Sequence, residues 1–404
     1  MDTDWPPNYK TWMREDFPRL NLSLDNELSA DALASFAEAS LPIAYAIARD
    51  TSFDERERFT YISMMHSAAY HHQKRAAEAG IAISDGFAQA YAQIQQTVIA
   101  LADAIGVEHR FLSAFYLFYN PEMPEFEGTF AQFRPTAYET AFLRINSEGS
   151  RQYKIGAEAL FQAYERLSRP SPSSASILPL LEQARTAFWK ISHGNQTLLD
   201  TPGGKEFKFI TQYFGEVRVA GRTLRGVSAG DQPWSYMIDL LLGVDLKHVF
   251  ERAFEGTAIE RHYPDEVRTS ADAIAYEFSS QAYLRANYLL PEDYAALTKA
   301  IALMNRLGET LPSAIRMMDS DHTQSELAER LHDVVTYYVA ASNVHYQLAQ
   351  RYVPKTNGEQ IGSAGTNIVK FLKEGLNAER ENVKREIEER YPELSRTETE
   401  NIIA

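Results

Sequence analysis

The 404-residue chain contains no cysteine. Disulfides, thiolate ligation, iron–sulfur clusters and thioether-linked cofactors are thereby excluded together. A basic patch is also missing: 40 Lys and Arg stand against 55 Asp and Glu, a net charge of −15, with the acidity spread along the chain. That balance argues against nucleic acid or an anionic membrane surface as partner. No apolar run approaches the length of a membrane span. The N-terminus MDTDWPPNYKTW has neither a basic start nor an apolar stretch, so a cytoplasmic protein is expected. There is no Gly-x-Ser-x-Gly elbow after a strand pattern, which sets aside that class of hydrolase. What is present, 45% hydrophobic and 24% charged residues, is an ordinary globular composition able to bury one large core or two moderate ones.

The patterning is nearly all helical. Residues 1–24 read as an irregular lead whose prolines oppose a helix. Helices are expected from Asp31 to Ala48, broken or kinked at Pro42; from Asp54 to Gly80, capped by Ser52 or Asp54; and from Asp85 to Gly106. The aromatic run HRFLSAFYLFYN follows, a buried helix end or a strand, and then helices at Thr136–Ile145 and Gln152–Leu167. SRPSPSSAS, residues 168–176, is the best linker in the chain. Beyond it Leu178 to His193 is helical, 194–206 loop-like, 207–214 an apolar run (FKFITQYF), and EVRVAGRTLRGV a short β-hairpin. Helices are then expected at 234–243, 246–255, 271–286, 292–306, 325–353 and 366–390.

One stripe carries chemistry. Leu331, Val334, Val335, Tyr338, Ser342, His345, Leu348, Ala349 and Tyr352 recur at three- and four-residue steps, so they share one helix face and His345 points inward. Its neighbours one turn away are Ala341, Ser342 and Ala349, small residues that leave a shallow trough for a flat, bulky group. A histidine so placed is either a hydrogen-bonded core group or a ligand whose neutral nitrogen faces a metal. Glu329-x-x-His332 offers a rival di-iron reading. Such a site needs a second motif, of which Asp245-Leu246-Lys247-His248 is only a looser echo, and two further inward glutamates; His332, thirteen residues before His345, lies about 220° around the helix, facing solvent if His345 is buried, which weighs against the reading. His66, His71 and His72 share one helix at spacings that do not suit a metal site, and are expected at a surface or interface. His109, His193, His248, His262 and His322 have no ligand partner at useful spacing. Two turns, Ser228-Ala229-Gly230 and Gly362-Ser363-Ala364-Gly365-Thr366, precede helices. Their free N–H groups and hydroxyls could hold a polar group, although Thr366 is also explained as an N-cap.

The run NVHYQLAQRYVPK followed by GSAGTNIVKFLKEGLNAER, and the earlier block GVSAGDQPWSYMIDLLLGV, resemble the C-terminal signature and the Ser-Ala-Gly segment of the indoleamine 2,3-dioxygenase superfamily. The resemblance covers roughly residues 177–385, and its departures look closer to the monodechloroaminopyrrolnitrin synthase-like branch. It implies a mostly α, two-part haem protein with at most a small hairpin. The parts are an N-terminal helical region at 1–167, the linker at 168–176, a C-terminal haem-binding domain at 177–395 and a mobile tail at 396–404, the haem sitting between the two regions.

On that resemblance His345 is the proximal ligand of a non-covalently bound haem b, the trough of Ala341, Ser342 and Ala349 approaches the ring, and Ser228, Ala229, Gly230 and Thr366 line the haem pocket. Ser363, Ala364 and Gly365 lie near the bound substrate, and Phe207 and Phe209 stack on it. Gln212 falls where the dioxygenases place an arginine for the substrate carboxylate. Glutamine cannot make that bidentate, charge-assisted contact, so either Lys208 or Arg218 takes the role or the substrate has no carboxylate there. The implied activity is a haem-dependent oxygenase or oxidative ring-rearranging enzyme. It would act on an aromatic, indole-like, tryptophan-derived small molecule with O2 or peroxide, and without an obligatory side-chain acid or base. Haem binding or ligand carriage without turnover is the alternative function, and a purely structural helical protein a third. A homo-oligomer is left open.

Overall fold

A computed structural model of the chain describes residues 11–50, 54–120, 131–227, 232–254, 263–279, 289–308, 310–318, 321–353, 360 and 367–391. Its helices are α1 (Phe17–Asn26), α2 (Ala30–Arg49), α3 (Glu55–Glu78), α4 (Asp85–Ile105), α5 (Ala137–Leu167), α6 (Ser174–Asp200), α7 (Phe207–Thr211), α8 (Pro233–Leu242) and α9 (Leu246–Phe254). They continue as α10 (Ser270–Ser279), α11 (Pro291–Leu307), α12 (Leu311–Arg316), α13 (Asp321–Tyr352), α14 (Ile368–Ala378) and α15 (Arg385–Arg390). Strands β1 (Val217–Val219) and β2 (Arg222–Leu224) form the one sheet among the described residues. The mostly α architecture with a small hairpin, expected from the sequence, is what the chain adopts. Among the described residues no helix is long and apolar enough to cross a membrane.

The chain folds as two units. The first comprises Met1–Ser147, Thr201–Asp231 and Gly362–Gly365; the second comprises Glu148–Asp200, Gln232–Ile361 and Thr366–Ala404.

In the first unit the lead is more regular than its prolines suggested. A π-helical turn at Trp12–Asp16 runs into α1, and Pro18 sits at the start of that helix, where its missing N–H has no partner to lose. The Ser29 hydroxyl accepts from Ala32 N–H at 3.1 Å to open α2. That helix runs unbroken through Pro42, because Pro42 and Glu38, whose carbonyl loses its intrahelical donor, both lie on the exposed side. Asp54 and Glu57 form a reciprocal capping box on α3, with bonds of 2.8 and 3.2 Å. Gly106 ends α4 at φ 75°. Of HRFLSAFYLFYN, residues 113–120 are helical, with a π turn at Phe115–Tyr119, and the first four residues are a bend and irregular chain. The hairpin pairs Val217 with Leu224 and Val219 with Arg222, and Ala220 and Gly221, both at positive φ, make its two-residue turn. Its buried face packs on Tyr70 and Ile99.

Helix α5, expected as two pieces, is continuous. Across the polar join Asn146 donates to the Phe142 carbonyl at 2.8 Å and Gln152 to Glu148 at 2.7 Å, holding successive turns together. In the second unit α13 packs along α6 and against α14. Residues 168–173 form the turn between α5 and α6, and α6 continues to Asp200 through residues expected to be loop. The long C-terminal helix is interrupted by a π turn at Glu379–Lys384. The stretch expected to continue helical to 286, the Ser-Ala-Gly turn at 228–230, the turn at 362–366 and the tail lie wholly or largely outside the described residues.

Candidate functional site

On α13 the apolar stripe is the core face: Leu331, Val334, Val335, Tyr338, Ala341 and Ala349 are buried. His345 is half-buried on the same face, and among the described residues neither ring nitrogen has a hydrogen-bond partner. Burial lowers its pKa below the ordinary histidine value, which favours the neutral imidazole. The small neighbours are placed by specific contacts. The Ala341 carbonyl accepts from Asn195 Nδ2 at 3.5 Å, the Ala349 carbonyl from Gln360 Nε2 at 3.2 Å, and Ser342 Oγ donates to Glu379 Oε1 at 2.9 Å. On α14, which packs against α13, Ile368, Val369, Phe371 and Leu372 are only half-buried. A neutral, unpartnered imidazole beside a partly uncovered apolar helix fits the donor and wall that haem requires.

Sequence reasoning missed the acid pair close to this stripe. Asp239 accepts from Tyr338 Oη at 2.8 Å, and Glu379 from Ser342; burial raises both carboxyls, Asp239 to about 7 and Glu379 well above the ordinary range. Asp239 sits in the otherwise apolar helix PWSYMIDLLL, and a lone acid in such a run was the available signal. His332 is a correction: it is buried, not solvated, and meets Glu388 at 3.2 Å, because π turn and α15 residues cover that side of α13 as well. Glu329 is exposed, so the Glu-x-x-His pair does not converge.

In the first unit FKFITQYF forms α7 and a 3-10 turn, Gln212–Phe214. Gln212 lines a pocket of about 360 Å³, with Ser67, Tyr70, His71, Lys74, Arg75 and Tyr213 among the walls. Phe207 and Phe209 are not part of that lining. Phe207 packs on Phe142 at 5.6 Å, and Phe209 carries the Arg134 guanidinium 4.4 Å from its centroid and the Lys208 ammonium at 4.6 Å. The pocket's aromatic walls are Tyr70 and Tyr213. Arg75 and Lys74, which no sequence spacing linked to Gln212, are the cations beside it; Lys208 and Arg218 are exposed elsewhere.

The α3 histidines are also corrected. His66 and His72 are fully buried, and His66 stacks on Tyr91 at 5.3 Å. His71 and His72, consecutive on the helix, converge with Asp25 of α1: one donor atom from each of the three lies within 4.8 Å of the others. The sequence spacing within α3 could not show a partner supplied by another helix.

The described residues are almost wholly α with one small hairpin, and a long helix carries His345 on the same face as its core residues. Residues 90–248 match the family model described as Monodechloroaminopyrrolnitrin synthase PrnB, and over that stretch the chain is similar to that family. The matched stretch contains the GVSAGDQPWSYMIDLLLGV block and FKFITQYF, and ends before α13. The family is one of haem-dependent oxidative enzymes. No curated protein sequence matches the chain.

Proposed function

We propose that this chain is a haem-dependent oxidative enzyme acting on an aromatic, indole-like, tryptophan-derived small molecule with O2 or a peroxide, His345 being the proximal ligand of haem b. The observation that carries the reading is His345 itself, a neutral imidazole with no partner among the described residues, on the helix that the resemblance marks. When bound, haem supplies the oxygen-activating redox chemistry.

The chain's own residues do the rest. Burial keeps a lone pair available on His345. The Ser342–Glu379 bond ties α13 to the π turn after α14 and steadies the helix that carries the ligand. Gln212 can donate and accept at a substrate's polar group, with Ser67 and the cations Arg75 and Lys74 in the same pocket. Ser228, Ala229, Gly230 and Thr366 at the cofactor, and Ser363, Ala364 and Gly365 at the substrate, keep the roles that the resemblance implies, while in the Gln212 pocket Tyr70 and Tyr213 supply the aromatic walls in place of Phe207 and Phe209.

The test is an absorption spectrum of protein produced with added haem precursor, beside His345→Ala, as ferric, ferrous and CO-bound forms. A Soret band that shifts with CO and is lost or altered in the variant supports the reading. Absence of haem from both proteins returns His345 to the core.

A further inference from the structure

We propose that Asp25, His71 and His72 form a binding site for one divalent transition-metal ion in the first unit. Three observations carry it. The first is orphaned donors: His71 Nε2 and His72 Nδ1 are buried with no hydrogen-bond partner, an arrangement that costs stability unless something else uses those lone pairs. The second is orientation. His72 Nε2 meets Asn21 Oδ1 at 3.0 Å; the amide oxygen accepts, so Nε2 holds the proton and Nδ1 is left as the free donor, which is how an outer partner fixes a metal-binding tautomer.

The third is spacing. His71 Nε2 stands 3.8 Å from Asp25 Oδ1, too far for a hydrogen bond. Two ligands that each hold one ion at ~2.0–2.2 Å with a tetrahedral angle are ~3.3–3.6 Å apart, so a small closure of the observed gap completes a shared coordination. Two imidazoles and a carboxylate suit Zn²⁺, Co²⁺ or Ni²⁺ better than Mg²⁺ or Ca²⁺. Three protein ligands leave a further position for water or a small ligand, and His71 also lines the 360 Å³ pocket, so the site has a route to solvent.

One group competes. Arg75 Nη1 donates to Asp25 Oδ1 at 2.9 Å, while Tyr213 Oη and Arg134 Nε hold Oδ2 at 2.8 and 3.4 Å. The ion takes the place of Arg75 on Oδ1; the Arg75 side chain is 29% exposed, against 4% for Asp25, and can turn into water. Arg134 and Tyr213 stay on Oδ2 and keep the carboxylate oriented.

The experiment is titration of the full-length protein with Co²⁺ and with Zn²⁺, read by the visible d–d absorption of bound Co²⁺ and by calorimetry for Zn²⁺. The expected result is one equivalent bound, with affinity lower by about tenfold or more in His71→Gln and in Asp25→Asn. The same affinity is expected in His345→Ala, which separates this site from the haem reading. His72→Gln alters a fully buried residue and tests folding as much as binding, so His71→Gln, at a position 11% exposed, carries the weight. Removing the competitor by Arg75→Gln tightens binding several-fold. No stoichiometric binding, an affinity unchanged by His71→Gln and Asp25→Asn, or an affinity not raised by Arg75→Gln overturns the proposal.

Discussion

Tyr338 Oη donates to Asp239 Oδ1 at 2.8 Å, joining α13 to α8 inside the second unit. Burial raises the Asp239 carboxyl from 3.8 to about 7, although the tyrosine bond works in the other direction. Between those two values the native chain holds a proton that the unfolded chain has lost. Stability contributed by this group is therefore present at low pH and falls as pH climbs toward 7. The buried histidines act with the opposite sign: burial lowers His66 to about 4 and His72 to about 3, so the unfolded chain binds the extra proton below 6.5 and stability rises with pH there. Asp239→Asn is expected to remove one falling component, making the dependence of unfolding free energy on pH more positive by about 1.4 kcal/mol per pH unit between roughly pH 4.5 and 6.5. Urea unfolding at a series of pH values checks it, and parallel curves for the two proteins would contradict it.

Glu139 acts as a backbone hub in the first unit. Its Oε1 accepts from Tyr116 Oη at 2.6 Å and Phe133 N–H at 2.7 Å, and its Oε2 from Arg134 N–H at 2.8 Å. Burial pushes its carboxyl up to about 7 against those three bonds. Glu139→Ala strands two buried N–H groups and a buried hydroxyl, with an expected loss of about 3 kcal/mol or more. Glu139→Gln keeps one acceptor oxygen but turns an NH2 toward one of the donors, and should fall between. Chemical denaturation of the three proteins orders them; an alanine variant as stable as the parent would contradict the hub.

Much of this fold was legible because it is local. Ser29, Asp54 and Gly106 announce helix ends through the backbone groups they satisfy or the φ they permit, and Ala220-Gly221 announces the hairpin. What was missed depends on other helices. Pro42 is tolerated because its side of α2 meets water; His332 is buried because α15 and the π turn cover a second side of α13; His71 and His72 acquire Asp25 from α1. The stripe bearing His345 was legible from its period, while the partners of Ser342 and Tyr338 were not, since Glu379 and Asp239 are distant in sequence.

Ser342 lies one turn before His345, and its hydroxyl is the hydrogen-bond donor to Glu379, whose Oε2 has no partner. Ser342→Ala leaves that buried carboxyl without its donor. A stability loss of about 1–2 kcal/mol is expected, together with faster release of haem than in the parent if His345 is its ligand. Apomyoglobin capture of haem from the two proteins compares the release rates. Equal rates would show that the bond does not steady the ligand helix.

Gly156 and Phe188 set the distance between α5 and α6 in the second unit. A Cβ built on Gly156 would stand 2.6 Å from Phe188 Cε1 and 2.8 Å from its Cζ, inside any real carbon contact. Ordinarily alanine in place of a helical glycine stabilises by about 1 kcal/mol. Here the ring is fully buried and has no solvent side to move into, so it must leave its rotamer or part the helices. Overpacking of this kind costs about 1–3 kcal/mol, so Gly156→Ala should be neutral to clearly destabilising, against its propensity. The double variant Gly156→Ala/Phe188→Leu separates the causes. Leucine lacks the ring atoms that clash, so adding the alanine to a Phe188→Leu background should be favourable. That change of sign is a coupling between two residues in contact, readable as a non-additive double-mutant cycle in denaturant unfolding. If alanine has the same effect in both backgrounds, the glycine is not there to admit the ring.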